Sequence, residues 1–170
     1  MRQRYPPART RVPRGINIVV DFALKRVPKY RVASVRFVGP YKESRIRGEW
    51  QDLARWAKAK GLRTGKWFFS EESVGRRYRF EVAIEVRGPA KSEGRVRIRT
   101  LPASAAASVT FNPDVVSARV VYHGLADWLR WRKKDKTIRR VRSYREGYDG
   151  NPWTNATAWS HTEVQVRVTR

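Results

Sequence analysis

Arg79-Phe80-Glu81-Val82-Ala83-Ile84-Glu85-Val86 alternates without a break. Successive side chains of an extended chain point to opposite faces, so Phe80, Val82, Ile84 and Val86 share one side. Arg79, Glu81, Ala83 and Glu85 share the other. A strand of this kind belongs in an antiparallel sheet that is covered on its apolar side. The same period returns over 162–169, where Val164, Val166 and Val168 alternate with Glu163, Gln165, Arg167 and Thr169. It returns again over 95–101. Shorter apolar runs at 18–24, 30–38, 66–70, 107–111 and 141–145 predict further strands.

Two segments have the helical period instead. Ile46, Trp50, Leu53, Ala54 and Ala57 fall on one face of a helix expected over 43–60, with Gly61 as its stop. Asn112-Pro113-Asp114 reads as the start of a second helix, a capping side chain followed by Pro at the first helical position. Val116, Val120, His123, Trp128 and Trp131 trace its stripe, interrupted by Asp127, and the basic run 133–136 suits its C-terminal end. A polar connector, Gly88-Pro89 to Gly94, separates the two sets. Each half, about 18–88 and 94–170, therefore reads strand, strand, helix, strand, strand. The expected fold is one duplicated α+β domain over 18–170: a mainly antiparallel sheet, two helices on one side and a ligand groove on the other.

Composition bounds the function. With 41 % hydrophobic residues and seven Trp the chain has material for a core. It lacks cysteine, which removes disulfides, thiolate metal sites and cysteine nucleophiles. No apolar run has the length of a membrane span and no signal-peptide pattern opens the sequence, so the expected setting is cytoplasmic. The charge is unusual: 38 Lys plus Arg against 15 Asp plus Glu, a formal +23. Five arginines, Arg2, Arg4, Arg9, Arg11 and Arg14, fall in a Pro-rich segment, 1–17, that reads as a basic arm. They are the candidate nucleic-acid contacts.

Val38-Gly39-Pro40-Tyr41, Leu53-Ala54-Arg55-Trp56-Ala57, Gly65-Lys66-Trp67-Phe68-Phe69, the 79–86 strand and Thr162-Glu163-Val164-Gln165-Val166 follow one another in an order that resembles the GyrI-like superfamily. That superfamily includes the effector-binding domains of multidrug regulators and stand-alone gyrase-inhibitory proteins. The likeness covers about 20–170. It implies a duplicated strand-helix-strand-strand module with a groove for aromatic, often cationic ligands, and it places the family's acidic binding residue on Glu163. The arm is too short for a helix-turn-helix, so a stand-alone member is expected. Asn112-Pro113-Asp114 stands where a second Gly-Pro-Tyr would be.

The expected binding residues are accordingly Glu163, Glu81 and Glu85 from the polar strand faces. Trp67, Phe69, Tyr144, Trp153 and Trp159 would supply flat ring walls. Trp50 and Trp128 read as core. Arg36, Arg79, Arg97 and Arg167 are candidates for the same polar face and would neutralise the glutamates. No catalytic set, metal motif or phosphate loop stands out, and no cofactor is expected. Two other functions remain open: hydrolysis of a reactive small molecule in the same groove, and nucleic-acid binding through the arm and the Arg-rich strand faces.

Overall fold

The computed structural model describes residues 20–170. Eight strands form a single sheet: β1 (Ala23–Val27), β2 (Tyr30–Gly39), β3 (Arg63–Val74), β4 (Arg77–Arg87), β5 (Arg97–Leu101), β6 (Ser104–Phe111), β7 (Arg140–Tyr148) and β8 (Thr162–Thr169). Every pairing between them is antiparallel, and their spatial order is β1-β6-β8-β7-β3-β4-β2-β5. Three helices complete the fold: α1 (Glu43–Ala59), α2 (Ala118–Lys134) and the short α3 (Ala156–Ser160).

The order of strands reads the same from either end when β1, β6, β8 and β7 are matched with β5, β2, β4 and β3, which bears out the duplication. One feature of it was not foreseen. The first strand of each half leaves its own half and pairs with the other: β1 with β6, and β5 with β2. Each exchange is made through a two-residue link, Pro28-Lys29 and Pro102-Ala103. Both links join one edge of the sheet to a strand beside the opposite edge. The sheet therefore curls, with an outer face under the helices and an inner face within the curl.

The register explains what the helices cover. One row of paired residues runs Val109↔Val164, Val164↔Glu146, Glu146↔Phe69, Phe69↔Val82 and Val82↔Val35. Paired residues share a face, so α1 and α2 sit on the same side. The stripe of α1, Ile46, Trp50, Leu53 and Ala57, is buried against Val35, Phe37, Val82 and Ile84. Val121, Leu125, Trp128 and Leu129 of α2 are buried against Ala107, Val109, Val164 and Val166. Trp50 and Trp128 are core residues, as read. Five of the six buried polar residues, Ser34, Glu81, Ser108, Glu163 and Gln165, belong to the inner face.

Several boundaries needed correction. The cap of the second helix lies five residues beyond Asn112. Asn112 organises a turn, accepting the Asp114 N–H on its side chain at 3.0 Å, and Ser117 is the true cap, accepting from Val120 N–H. The buried stripe of α2 is rotated by one residue from the expected one, which leaves Trp131 44 % exposed. β3 runs twelve residues instead of five, and β7 continues to Tyr148 instead of ending at Arg145. α3 occupies part of what read as loop. The 1–17 arm and the start of the 18–24 run lie outside the described residues.

Candidate ligand-binding groove

A cavity of about 810 Å³ opens between α1 and α2. Its floor is the seam where the two halves meet, the β3–β7 pair. This seam is short: Trp67↔Tyr148, Phe68↔Gly147 and Phe69↔Glu146. Alternation brings Phe69 and Glu71 of β3 and Tyr144, Glu146 and Tyr148 of β7 up toward the helices. Glu43, Ile46 and Trp50 of α1 form one wall, and Ala118 and Tyr122 of α2 form the other. Pro152, Trp153 and Trp159, around α3, close an end.

At the centre of the floor is Glu146, the only charged side chain in the row of paired residues described above. Both carboxylate oxygens are held: the Tyr122 hydroxyl donates to one at 2.8 Å and the Tyr148 hydroxyl to the other at 2.6 Å. Burial, and then the Glu146 charge itself, push both phenols far above their ordinary pKa, so they stay protonated donors. Two acidic residues accompany it. Glu43 lies at the start of α1, and burial together with the charge of Glu146 raises Glu71 above the usual carboxylate value. Arg145 also borders the groove, but its guanidinium turns to the inner face, 5.1 Å from the centre of the Phe68 ring. The groove is thus acidic within a strongly basic chain.

The walls are rings. Trp50 lies 5.8 Å from Tyr148, edge to face, 6.0 Å from Phe69 and 6.5 Å from Trp153. The indole N–H groups of Trp50 and Trp153 are buried with no acceptor among the described residues. The Trp159 indole N–H donates to Asp114 at 2.9 Å, which ties α3 to the approach to α2.

Of the residues expected at a site, Phe69, Tyr144, Trp153 and Trp159 line this groove together. Trp67 is buried beneath it, 5.8 Å from Trp50. Glu81, Glu85 and Glu163 lie on the inner face, apart from the rings. Glu81 accepts from Arg36 and Arg99. Glu85 accepts the Lys66 backbone N–H at 3.1 Å, at the bulge in β3. It also sits so close to Gly65 that a Cβ there would approach its Oε2 to 2.3 Å. Glu163 pairs with Lys25 and lies 3.9 Å from Lys66. The sequence reading therefore joined residues of two faces into one site. It missed Glu146, Tyr122 and Tyr148 because it ended the β7 strand too early. The signal was present as Tyr144-Arg145-Glu146-Gly147-Tyr148, which alternates. Arg2, Arg4, Arg9, Arg11 and Arg14 lie outside the described residues.

Among the described residues no group of three or more His, Asp or Glu could hold a metal ion, and no helix is long and apolar enough to cross a membrane.

Comparison with known proteins agrees with this architecture. A sequence comparison with curated proteins finds no match. The crystal structure of the EcmrR C-terminal domain superposes with a TM-score of 0.71 at 25 % identity, over 90 % of this chain and 99 % of that one. EcmrR in its complex with DNA gives a TM-score of 0.70 at 27 % identity over 89 % of this chain, which spans 58 % of that protein's length. SAV2435 bound to tetraphenylphosphonium shares the fold, with a TM-score of 0.51 at 12 % identity over 88 % of this chain and 94 % of that one. The family model for the GyrI-like small-molecule-binding domain matches residues 21–169, and the chain belongs to that family.

Proposed function

We propose that the groove between α1 and α2 binds an aromatic cation, with Glu146 as its counter-charge. The observation that carries this reading is the position of Glu146. Its carboxylate is fixed by Tyr122 and Tyr148 at the floor of a cavity walled by rings. A carboxylate held by two donors is oriented before any ligand arrives, so little ordering remains to be done on binding. Ring faces attract a cation, and Glu71 and Glu43 add to that attraction. The volume suits a drug-sized molecule. SAV2435, a protein of this fold, holds tetraphenylphosphonium, a cation of this class.

The test is a fluorescence or calorimetric titration of tetraphenylphosphonium, followed by the same titration with Glu146→Gln. The amide keeps the shape and removes the charge. A loss of about tenfold to a hundredfold is expected, the effect of 1–3 kcal/mol in a partly desolvated groove. Equal affinity of the two proteins would refute the assignment.

A further inference from the structure

The inner face of the curl contains a second cavity, of about 500 Å³, whose chemistry is opposite to that of the groove. Six arginines and three glutamates line it. Arg36 and Arg99 both donate to the single carboxylate of Glu81, which is 9 % exposed. Arg99 also reaches the buried Ser34 hydroxyl at 3.4 Å. Arg145 has no ion-pair partner among the described residues, although the charge of Glu163 acts on it; its Nε donates to the Gln165 side-chain oxygen at 2.7 Å and its guanidinium lies against Phe68. Arg167, on the neighbouring strand, has no acidic partner among the described residues. Of the remaining acids, Glu72 is taken by Arg79 and Glu71 is shared with the groove.

We propose that this cavity is a second binding site, for a small molecule bearing phosphate. Several guanidinium groups converge there on fewer carboxylates, two of them sharing one acceptor, and a phosphate dianion satisfies such an excess. Its three terminal oxygens have room for further guanidinium groups beyond the two that one carboxylate already serves here. Arg99 and Arg145 lose some of their usual affinity for protons through burial, and each feels neighbouring arginines. A bound dianion relieves both effects. At about 500 Å³ the cavity has the size of a small-molecule site, which suits a phosphorylated small molecule.

A chain of charge +23 attracts any anion, so the experiment has to separate a site from a charged surface. Inorganic pyrophosphate is titrated calorimetrically into the full chain and into Arg145→Gln, Arg167→Gln and Arg130→Gln. Arg167 is exposed and its variant is expected to fold even if Arg145→Gln does not. Arg130, paired with Asp127 on the outside of α2, is the control for bulk charge. Saturable binding that falls about fivefold or more in Arg167→Gln, and further in Arg145→Gln, but not in Arg130→Gln, supports the site. Absence of saturable binding overturns it, and so does an equal loss in Arg167→Gln and Arg130→Gln. Arg167 does not border the groove, so cation binding there should be the same in Arg167→Gln as in the unaltered chain.

Discussion

Glu146 stands directly opposite Phe69 across the β7–β3 pair, the seam that joins the two halves of the sheet. On either side of these two the row is entirely valine: Val164 and Val109 toward one edge, Val82 and Val35 toward the other. A carboxylate at that position loses much of its water, and the fold compensates with two phenolic hydroxyls from different elements, α2 and β7 itself. One consequence concerns Tyr148→Phe, which removes a donor and little volume. It should destabilise the protein by about 1–2 kcal/mol, since a hydrogen bond to a charged acceptor is lost. Urea denaturation measures this. Tetraphenylphosphonium affinity should fall several-fold as the carboxylate loses its fixed orientation. No change in either quantity would argue against the tyrosine as a support for Glu146.

Glu71 gives the groove a dependence on acidity. Its carboxyl titrates above the usual range because burial and the charge of Glu146 both oppose its ionisation. With a raised value in the folded state, the protonated form favours folding at low pH. That contribution is lost as the pH rises from the ordinary carboxylate range through the folded value. Cation binding runs the other way. Affinity for a permanently charged cation should climb as the pH rises above the ordinary carboxylate range and Glu71 ionises. Glu71→Gln should flatten the part of the profile above the ordinary carboxylate range. Calorimetry at several pH values, with the wild-type chain and this variant, checks both directions.

Glu163 presents the contrast. Its side chain is 9 % exposed and is held by Lys25 of β1, with Lys66 nearby. It thereby fastens β1 to β8, across β6. Glu163→Gln removes one charge and leaves Lys25 partly exposed to water, which limits the penalty. The expected loss is about 1–2 kcal/mol of stability, read by thermal or urea unfolding. Tetraphenylphosphonium affinity should be unchanged, because the residue is on the far side of the sheet from the groove rings. A tenfold loss of affinity with normal stability would instead restore the role expected for it from the sequence.

The start of α2 is testable by a smaller change. Ser117→Ala removes the cap and should cost about 1 kcal/mol in stability, measured by urea denaturation. Asn112→Ala should act only on the turn that precedes the helix, where Asn112 accepts the Asp114 N–H. If Asn112→Ala proves the more damaging for helix content, measured by far-ultraviolet circular dichroism, the cap is misplaced.

That correction shows where the sequence was legible and where it was not. The 79–86 strand declared itself because every second residue is large and apolar, and β8 was read with its exact ends for the same reason. The helix stripes were visible, although the second was set one residue out of phase by anchoring it on Asn112-Pro113. What alternation alone does not reveal is which strands are neighbours. The exchange of β1 and β5 depends on the geometry of two short links, and with it the curl that separates an inner face from an outer one. Glu81, Glu85 and Glu163 were correctly placed on a common face. They were joined to the rings only because a flat sheet offers no reason to keep them apart. Glu146 was hidden by Gly147, which looks like a turn residue. In the structure it is a buried strand position facing Phe68 of the neighbouring strand.

The exchanged strands also decide how this molecule can come apart. A fragment ending after β4 carries β1 without its partner β6, and exposes the β2 edge that β5 covers in the whole chain. The complementary fragment has the reciprocal defect. Neither is a smaller version of the whole, and each presents an unpaired edge prone to association with other chains. The polar connector around Gly88 to Gly94 is therefore a poor place to cut, although it looks like a domain boundary. Pairings as remote as Ala23↔Ser108 must form before either half-sheet is complete, which makes for slow folding and a single cooperative unfolding transition.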